Sequence, residues 1–214
     1  MPTLIVANGD LPEITNLPAW PATAKHIIAV DGGANHCVRL GIAPHILIGD
    51  LDSIAPPVLQ EYEDKGVIIH RHPPQKDATD LELAIDLANG SGTEEIWLLG
   101  CLGGRWDMSL ANILLLAADK YEKIRFTLIG TDCLMHLLRP GFPFKLDTAF
   151  GSRVSFLPLR GDVHGLTLQG FAYPLKNETL HFGRSQGISN EIILPPATVE
   201  FFSGLLLCVR LSGK

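Results

Sequence analysis

Up to residue 129 this chain alternates short, wholly apolar runs with helix-compatible segments, and this alternation restricts the fold more than any other pattern in it. The runs cover 4–7, 27–30, 46–48, 67–69, 96–99 and 126–129. They are rich in Ile, Val and Leu without polar alternation, as strands buried on both faces are. Helices are expected between them at 34–40, 56–65, 79–89 and 108–121. Such β-α alternation predicts a mostly parallel sheet flanked by helices. The pattern changes near Pro140-Gly141-Phe142-Pro143. Beyond it, 154–157, 166–168, 179–182, 192–194 and 205–211 read as strands punctuated by Gly, Pro and Asn, the mark of a small antiparallel sandwich or barrel. The fold class is therefore α/β, with an N-terminal mostly parallel sheet flanked by helices and a C-terminal all-β domain. The expected domains are 1–143 and 144–214.

Composition narrows the function. Of 214 residues, 46% are hydrophobic and only 19% charged, enough for a substantial core and against disorder. The net charge of −6 disfavours broad nucleic-acid binding, yet a divalent cation could still invert the local field for an anionic nucleotide. Cys37, Cys101, Cys133 and Cys208 are scattered with no CxxC pair, so reduced thiols in a cytoplasmic protein are expected rather than a zinc site or disulfides. No basic segment precedes the short apolar run near residue 4, so no signal peptide is expected. The run 113–118 is too short to span a membrane. The eight histidines show no metal-ligand spacing.

Ligands of such sheets sit beyond the carboxyl ends of the strands, and acid-rich motifs fall there. Asp50 and Asp52 follow the run 46–48. In extended chain, residues i and i+2 face the same way, so both carboxylates would meet one cation while Leu51 points to the core. Magnesium takes a few carboxylates plus phosphates and water. An Asx-turn is the plainer explanation of the same residues. Thr79-Asp80-Leu81-Glu82 is a capping box. Asp80 suits the helix dipole, but Lys76 and Asp77 just upstream make this helix start a candidate polyphosphate site. Asp50, Asp52 and Asp80 are the candidate metal ligands.

Asp31-Gly32-Gly33-Ala34-Asn35 ends one strand and opens a helix; its glycines suit either a tight turn or close approach of a phosphate. It is not GxGxxG, and no GxxxxGK[ST] occurs. Gly103-Gly104-Arg105-Trp106-Asp107 offers a guanidinium for phosphate, with Asp107 available as a helix cap. The polar stretch Gly183–Glu191 reads as a surface loop.

In this order, DGGAN, GDLDS, KDATDLELAI, GGRWDMSLANI and GISNE, spread from residue 31 to residue 191, resemble the thiamine pyrophosphokinase family. The resemblance implies an α/β catalytic domain, a β-sandwich and a homodimer. It implies transfer of a pyrophosphoryl group from ATP to thiamine, with Mg²⁺ as cofactor. By resemblance, Asp50, Asp52 and Asp80 organise the metal and polyphosphate, and Arg105 and Asp107 join them as catalytic residues. Asp31, Gly32, Gly33, Asn35, Lys76, Asp77 and Thr79 surround the ATP. Ser189 and Asn190 belong to the thiamine pocket, which in the family lies at the dimer interface. Met108 stands where many relatives carry His. The aromatic expected to stack on thiamine has no assigned position; Phe182, Phe201 and Phe202 are candidates. Two rival functions are a diphosphotransferase for another alcohol, such as a hydroxymethylpterin, and a non-catalytic thiamine or nucleotide sensor.

Overall fold

The computed structural model describes residues 1–13 and 23–212, which form two compact units, Met1–Thr131 and Asp132–Lys214. The division falls at 131/132, where the sequence suggests 143/144. The reason is the strand Cys133–Leu138, which pairs residue for residue with Leu206–Leu211 near the C-terminus and so belongs to the second unit.

The first unit contains strands β1 (Thr3–Val6), β2 (His26–Val30), β3 (Ile46–Gly49), β4 (Ile68–Arg71), β5 (Glu95–Leu99) and β6 (Arg125–Ile129). All pairings are parallel, in the order β6-β5-β1-β2-β3-β4. Its helices are α1 (Gly33–Leu40), α2 (Pro56–Asp64), α3 (Asp80–Gly90) and α4 (Trp106–Leu115). In α3, Leu81, Ala84, Ile85 and Ala88 are buried, the i, i+3, i+4, i+7 stripe of a helix laid on a sheet. The expected helix 108–121 stops at Leu115. Ala118 is extended, and a 3₁₀ turn follows at Asp119–Tyr121. Tertiary contacts account for the break: the Tyr121 ring is buried, its hydroxyl donates to Asp86 Oδ1 at 2.7 Å, and Asn89 Nδ2 donates to the Lys120 carbonyl.

The second unit is a sandwich of two four-stranded antiparallel sheets. Its strands are β7 (Cys133–Leu138), β8 (Phe144–Leu146), β9 (Arg153–Pro158), β10 (Val163–Gln169), β11 (Leu175–Leu180), β12 (Asn190–Glu191), β13 (Ala197–Glu200) and β14 (Leu206–Leu211). One sheet runs β12-β9-β14-β7 and the other β11-β10-β13-β8. Val154 and Phe156 of β9, and Leu206 and Cys208 of β14, face Leu166 and Leu168 of β10 and Ala197 and Val199 of β13 in one core. The period of two is that of strands with one buried face. The expected strand 192–194 reduces to one bridge, Ile192 to Phe171, because the Ile193 and Leu194 amides both turn to the Gly170 carbonyl.

The start of α1 presses on the end of β1. A Cβ on Gly33 would lie 2.0 Å from the Val6 carbonyl oxygen, and one on Gly32 would meet the Asn8 side chain at 2.4 Å. Gly33→Ala therefore forces helix and sheet apart. It is expected to cost about 1–3 kcal/mol, read as a lower midpoint in chemical denaturation; an unchanged midpoint would contradict this packing.

Candidate active site

A cavity of about 610 Å³ opens at the carboxyl ends of the parallel strands. Asn8, Gly9 and Asp10 line it after β1, Asp31 after β2, Asp50 and Ser53 after β3, and residues 100–105 after β5. Thr79 and Asp80 reach it from the start of α3, and Lys76 from the loop before. From β1 the chain adds strands outward through β4, then returns to the other side of β1 with β5. Loops therefore diverge between β1 and β5, and the crevice forms at that reversal.

Asp31 and Asp50 stand on two turns locked together. Asp31 Oδ1 accepts the Leu51 amide at 3.1 Å, and the Asp31 amide donates to the Ile48 carbonyl. Asn35 adds a second tie: its Nδ2 donates to the Ser53 carbonyl and its Oδ1 accepts the Ala55 amide. Gly49 has φ 144°, and a Cβ there would lie 1.7 Å from Asp31 Oδ1. Leu51 has φ 69° and Asp31 φ 45°. Such backbone costs about 1–3 kcal/mol per residue and concentrates at functional sites.

This turn corrects the same-face reading of Asp50 and Asp52. The chain is not extended there, so Leu51 is buried as expected, but Asp52 swings out to solvent and does not line the cavity. Asp50 Oδ1 accepts the Asp52 amide at 3.2 Å, an Asx-turn, and Asp52 Oδ1 accepts the Ser53 hydroxyl. The carboxylates that do converge are Asp31, Asp50 and Asp80. Asp31 titrates at about 7, raised from 3.8 chiefly by burial, with the charges of Asp80 and Asp50 adding and the Leu51 amide opposing.

Thr79 Oγ1 accepts the Glu82 amide at 3.2 Å, as the capping box predicts. Glu82 turns instead to Lys120, at 2.8 Å. Asp80 Oδ1 is buried and forms an ion pair with Lys76 Nζ at 2.8 Å. Lys76 Nζ also donates to the Pro73 carbonyl. Asp77 is exposed and outside the cavity lining. Gly32, Gly33 and Asn35 are outside it too: the glycines are buried against Asn8 and β1, and Asn35 is spent on the neighbouring loop.

Arg105 lines the cavity from its rim and donates through Nε and Nη2 to both oxygens of Asp107. Both groups are exposed; the hydrogen bonding raises the Arg105 pKa and lowers that of Asp107, so both stay charged. Asp107 does not take the N-cap position of α4, which Arg105 occupies. Inside the helix, Ser109 Oγ and Asn112 Nδ2 bond the Gly103 and Cys101 backbones, at 3.1 and 2.7 Å, and fix the glycine loop. Met108 lines the cavity.

In the second unit Ser189 is exposed at φ 60°, with its amide donating to Ser155 Oγ. Asn190 is buried and lines a separate cavity of about 330 Å³. Phe182 and Phe202 are exposed and Phe201 packs on the core, and none of the three lines that cavity. Asn8, Asp10, Ser109 and Asn112 are not among the sequence candidates. Asn8-Gly9-Asp10 had the same signal as the acid motifs, a polar cluster at the end of an apolar run. Ser109 and Asn112 carried none, since polar residues in a helix ordinarily face water.

The donor set suits a magnesium ion. Its acceptors are all oxygen, and its carboxylates repel one another. Among the described residues no group of three or more His, Cys, Asp or Glu side chains is arranged to hold a metal ion. A nucleotide-site magnesium needs only one or two carboxylates, the phosphates and water completing its shell.

Fold and cavity together define an α/β unit with a charged crevice, followed in the chain by a β-sandwich. The family model for the thiamin pyrophosphokinase catalytic domain matches residues 19–128, and that for the thiamin pyrophosphokinase vitamin B1 binding domain matches 142–206. A thiamine pyrophosphokinase of Bacillus subtilis is 34% identical over 207 residues, covering 96% of each chain. Thiamine pyrophosphokinase 1 of rice is 29% identical, over 94% of this chain and 83% of its own. The crystal structure of the Bacillus subtilis thiamine pyrophosphokinase superposes with a TM-score of 0.86 at 32% identity, over the whole of both chains. The chain belongs to the thiamin pyrophosphokinase family.

The Asp31 shift has a consequence for stability. Between 3.8, its unfolded value, and about 7, the folded state binds more protons, so Asp31 costs stability as pH rises through that window. In metal-free buffer, Asp31→Asn keeps the acceptor for Leu51 and removes the charge. It is expected to be more stable than the parent at pH 8, the gain closing toward pH 4, as read by urea denaturation at stepped pH. A gain independent of pH would contradict this.

Proposed function

We propose that this protein transfers the pyrophosphoryl group of ATP to thiamine, giving thiamine diphosphate and AMP. One observation carries the reading: Asp31, Asp50 and Asp80 meet Lys76 and Arg105 around one crevice at the sheet's reversal point, in a chain of this family. The thiamine hydroxyl oxygen attacks the β-phosphorus, the bond from that phosphorus to the α–β bridging oxygen breaks, and AMP leaves. A carboxylate of the cluster takes the hydroxyl proton. Lys76 and Arg105 stabilise negative charge on the polyphosphate and on the departing AMP, with Asp107 holding the Arg105 fork in place. Asp50 and Asp80, with Asp31 beside them, would hold Mg²⁺, which supplies charge neutralisation on the phosphates. Asp52 supports Asp50 through the Asx-turn. Catalysis of this kind is chiefly positioning and electrostatics.

The second unit would carry thiamine, in line with the vitamin B1 binding description of its matched model. We place the protein in the cytoplasm, which its buried cysteines Cys37, Cys101 and Cys208, none of them in a disulfide, suit. No described helix is long and apolar enough to cross a membrane. The working form is proposed to be a homodimer with the thiamine pocket at its interface. Support comes from α4, which buries Ser109 and Asn112 but exposes Trp106 (85%), Leu110 (58%) and Leu114, an apolar stripe suited to a second copy.

Incubation with ATP, Mg²⁺ and thiamine is expected to yield AMP and thiamine diphosphate in equal amounts. AMP formed with a hydroxymethylpterin alone would move the acceptor, and no AMP with any alcohol would make the protein a sensor. Asp50→Asn is expected to lose at least a hundredfold in turnover, roughly the effect of removing a key electrostatic group, with a denaturation midpoint no lower than the parent's, since it relieves repulsion with Asp31. Near-normal activity would sink the metal assignment. Leu110→Glu is expected to sediment as a monomer; a dimer retained in that variant would remove α4 from the interface.

A further inference from the structure

We propose that Lys120 is a positioning residue for the polyphosphate of ATP: it holds the Glu82 carboxylate away from the start of α3 and keeps that helix end open to phosphate. This deepens the function proposed above and rests on it. Thr79-Asp80-Leu81-Glu82 is a capping box in sequence, yet only half of it forms. The Glu82 amide donates to Thr79 Oγ1. In the complete motif the Glu82 carboxylate accepts the Thr79 amide in return. Here Glu82 Oε1 accepts from Lys120 Nζ at 2.8 Å instead, and among the described residues no acceptor bonds the Thr79 amide. The first amides of a helix have no partner within it, and Thr79 and Asp80 line the crevice. A Glu82 carboxylate on the Thr79 amide would close that donor. It would also bring a fourth negative charge to a crevice already lined by Asp31, Asp50 and Asp80, against an incoming polyphosphate.

Lys120 is fastened where it can do this. Its carbonyl accepts Asn89 Nδ2 at 3.2 Å, and the hydroxyl of its neighbour Tyr121, whose ring is buried, donates to Asp86 Oδ1 at 2.7 Å. Asn89 and Asp86 both belong to α3, so the 3₁₀ turn Asp119–Tyr121 is tied to that helix at two points. From there Lys120 Nζ reaches Glu82 and, at 2.9 Å, Asp86, which stand one turn apart on the same face of α3. It also lies 4.9 Å from the centre of the Tyr121 ring. Hydrogen bonding to Glu82, and then to Asp86, raises the Lys120 pKa, so the ammonium stays charged. An isolated exposed ion pair holds a side chain weakly; a cation shared by two carboxylates on an anchored backbone holds it better. Lys120 touches neither the crevice nor its acids, so it acts through Glu82.

Steady-state kinetics with the full-length protein test the proposal. Lys120→Met, which keeps the aliphatic stem, is expected to raise the KM for ATP about fivefold, the scale of one helix-capping interaction. The KM for thiamine and kcat should stay within about twofold of the parent. Lys120→Arg, which keeps the cation, is expected to hold the parent KM. The decisive variant is the double substitution Lys120→Met with Glu82→Ala. With no carboxylate left to turn inward, it should return the KM for ATP to within about twofold of the parent, although it restores no lost contact. A merely structural role for Lys120 predicts the reverse, a double variant at least as impaired as the single one. Glu82→Ala alone should leave the KM for ATP unchanged; a rise there would make Glu82 a direct contributor and overturn the proposal whatever Lys120→Met does. If the parent forms AMP and Lys120→Met keeps its KM for ATP, or the double variant fails to recover, the assignment of Lys120 is overturned and the reaction stands. If the parent forms no AMP from ATP and thiamine, the underlying function fails and this assignment with it.

Discussion

The hydrogen bond from the Leu51 amide to Asp31 Oδ1 joins the ends of β2 and β3, and the crevice of the first unit is arranged around it. To make it, the chain leaves β3 through a glycine no other residue could replace without striking Asp31, and puts a leucine in left-handed backbone. Burial of Leu51 helps offset that strain: the side chain is 5% exposed, and fully burying a leucine is worth about 1.5–3 kcal/mol. In return Asp50 lines the crevice with Asp80, and Asp31 is held among like charges at the cost of its own ionisation. A cluster of this kind is unfavourable alone.

The cavities of the two units differ in charge. In the first, acids and two cations ring a crevice at the point where loops part. In the second, the cavity lining is uncharged and mostly aliphatic, with one exposed tyrosine. The crevice of the parallel sheet is polar because loops end there at the strands' carboxyl ends; the cavity of the sandwich is apolar because the inner faces of its sheets are.

Helix α4 shows how the needs of the site override ordinary amphipathicity. Its buried residues are a serine and an asparagine, since the glycine loop beside the crevice has backbone groups that must be bonded out of reach of water. Apolar residues are left on the outside. A helix that stabilises itself by burying polar groups gains little hydrophobic energy within its own chain, and a second copy would restore it.

The sequence alone determined the order of elements in the first unit, the all-β nature of the second, the capping of α3 by Thr79 and the region of the site, because apolar period, turn residues and cap residues are local signals. It also carried the family motifs. The tertiary structure decided which acids meet. Asp52 turned outward because backbone at Leu51 left the extended form, Asp31 entered the cluster from another strand, and the glycines of DGGAN proved to serve packing. Strands β7, β8 and β13 were equally out of reach, since they are short or lie beside prolines and owe their pairing to partners far along the chain. Tyr173 and Asn190 stand 17 positions apart in a loop-rich stretch, and only folding brings a tyrosine backbone within reach of an amide side chain. Local patterns are encoded by neighbours in sequence; convergence of side chains on a site is encoded by long-range pairing, which no short window contains.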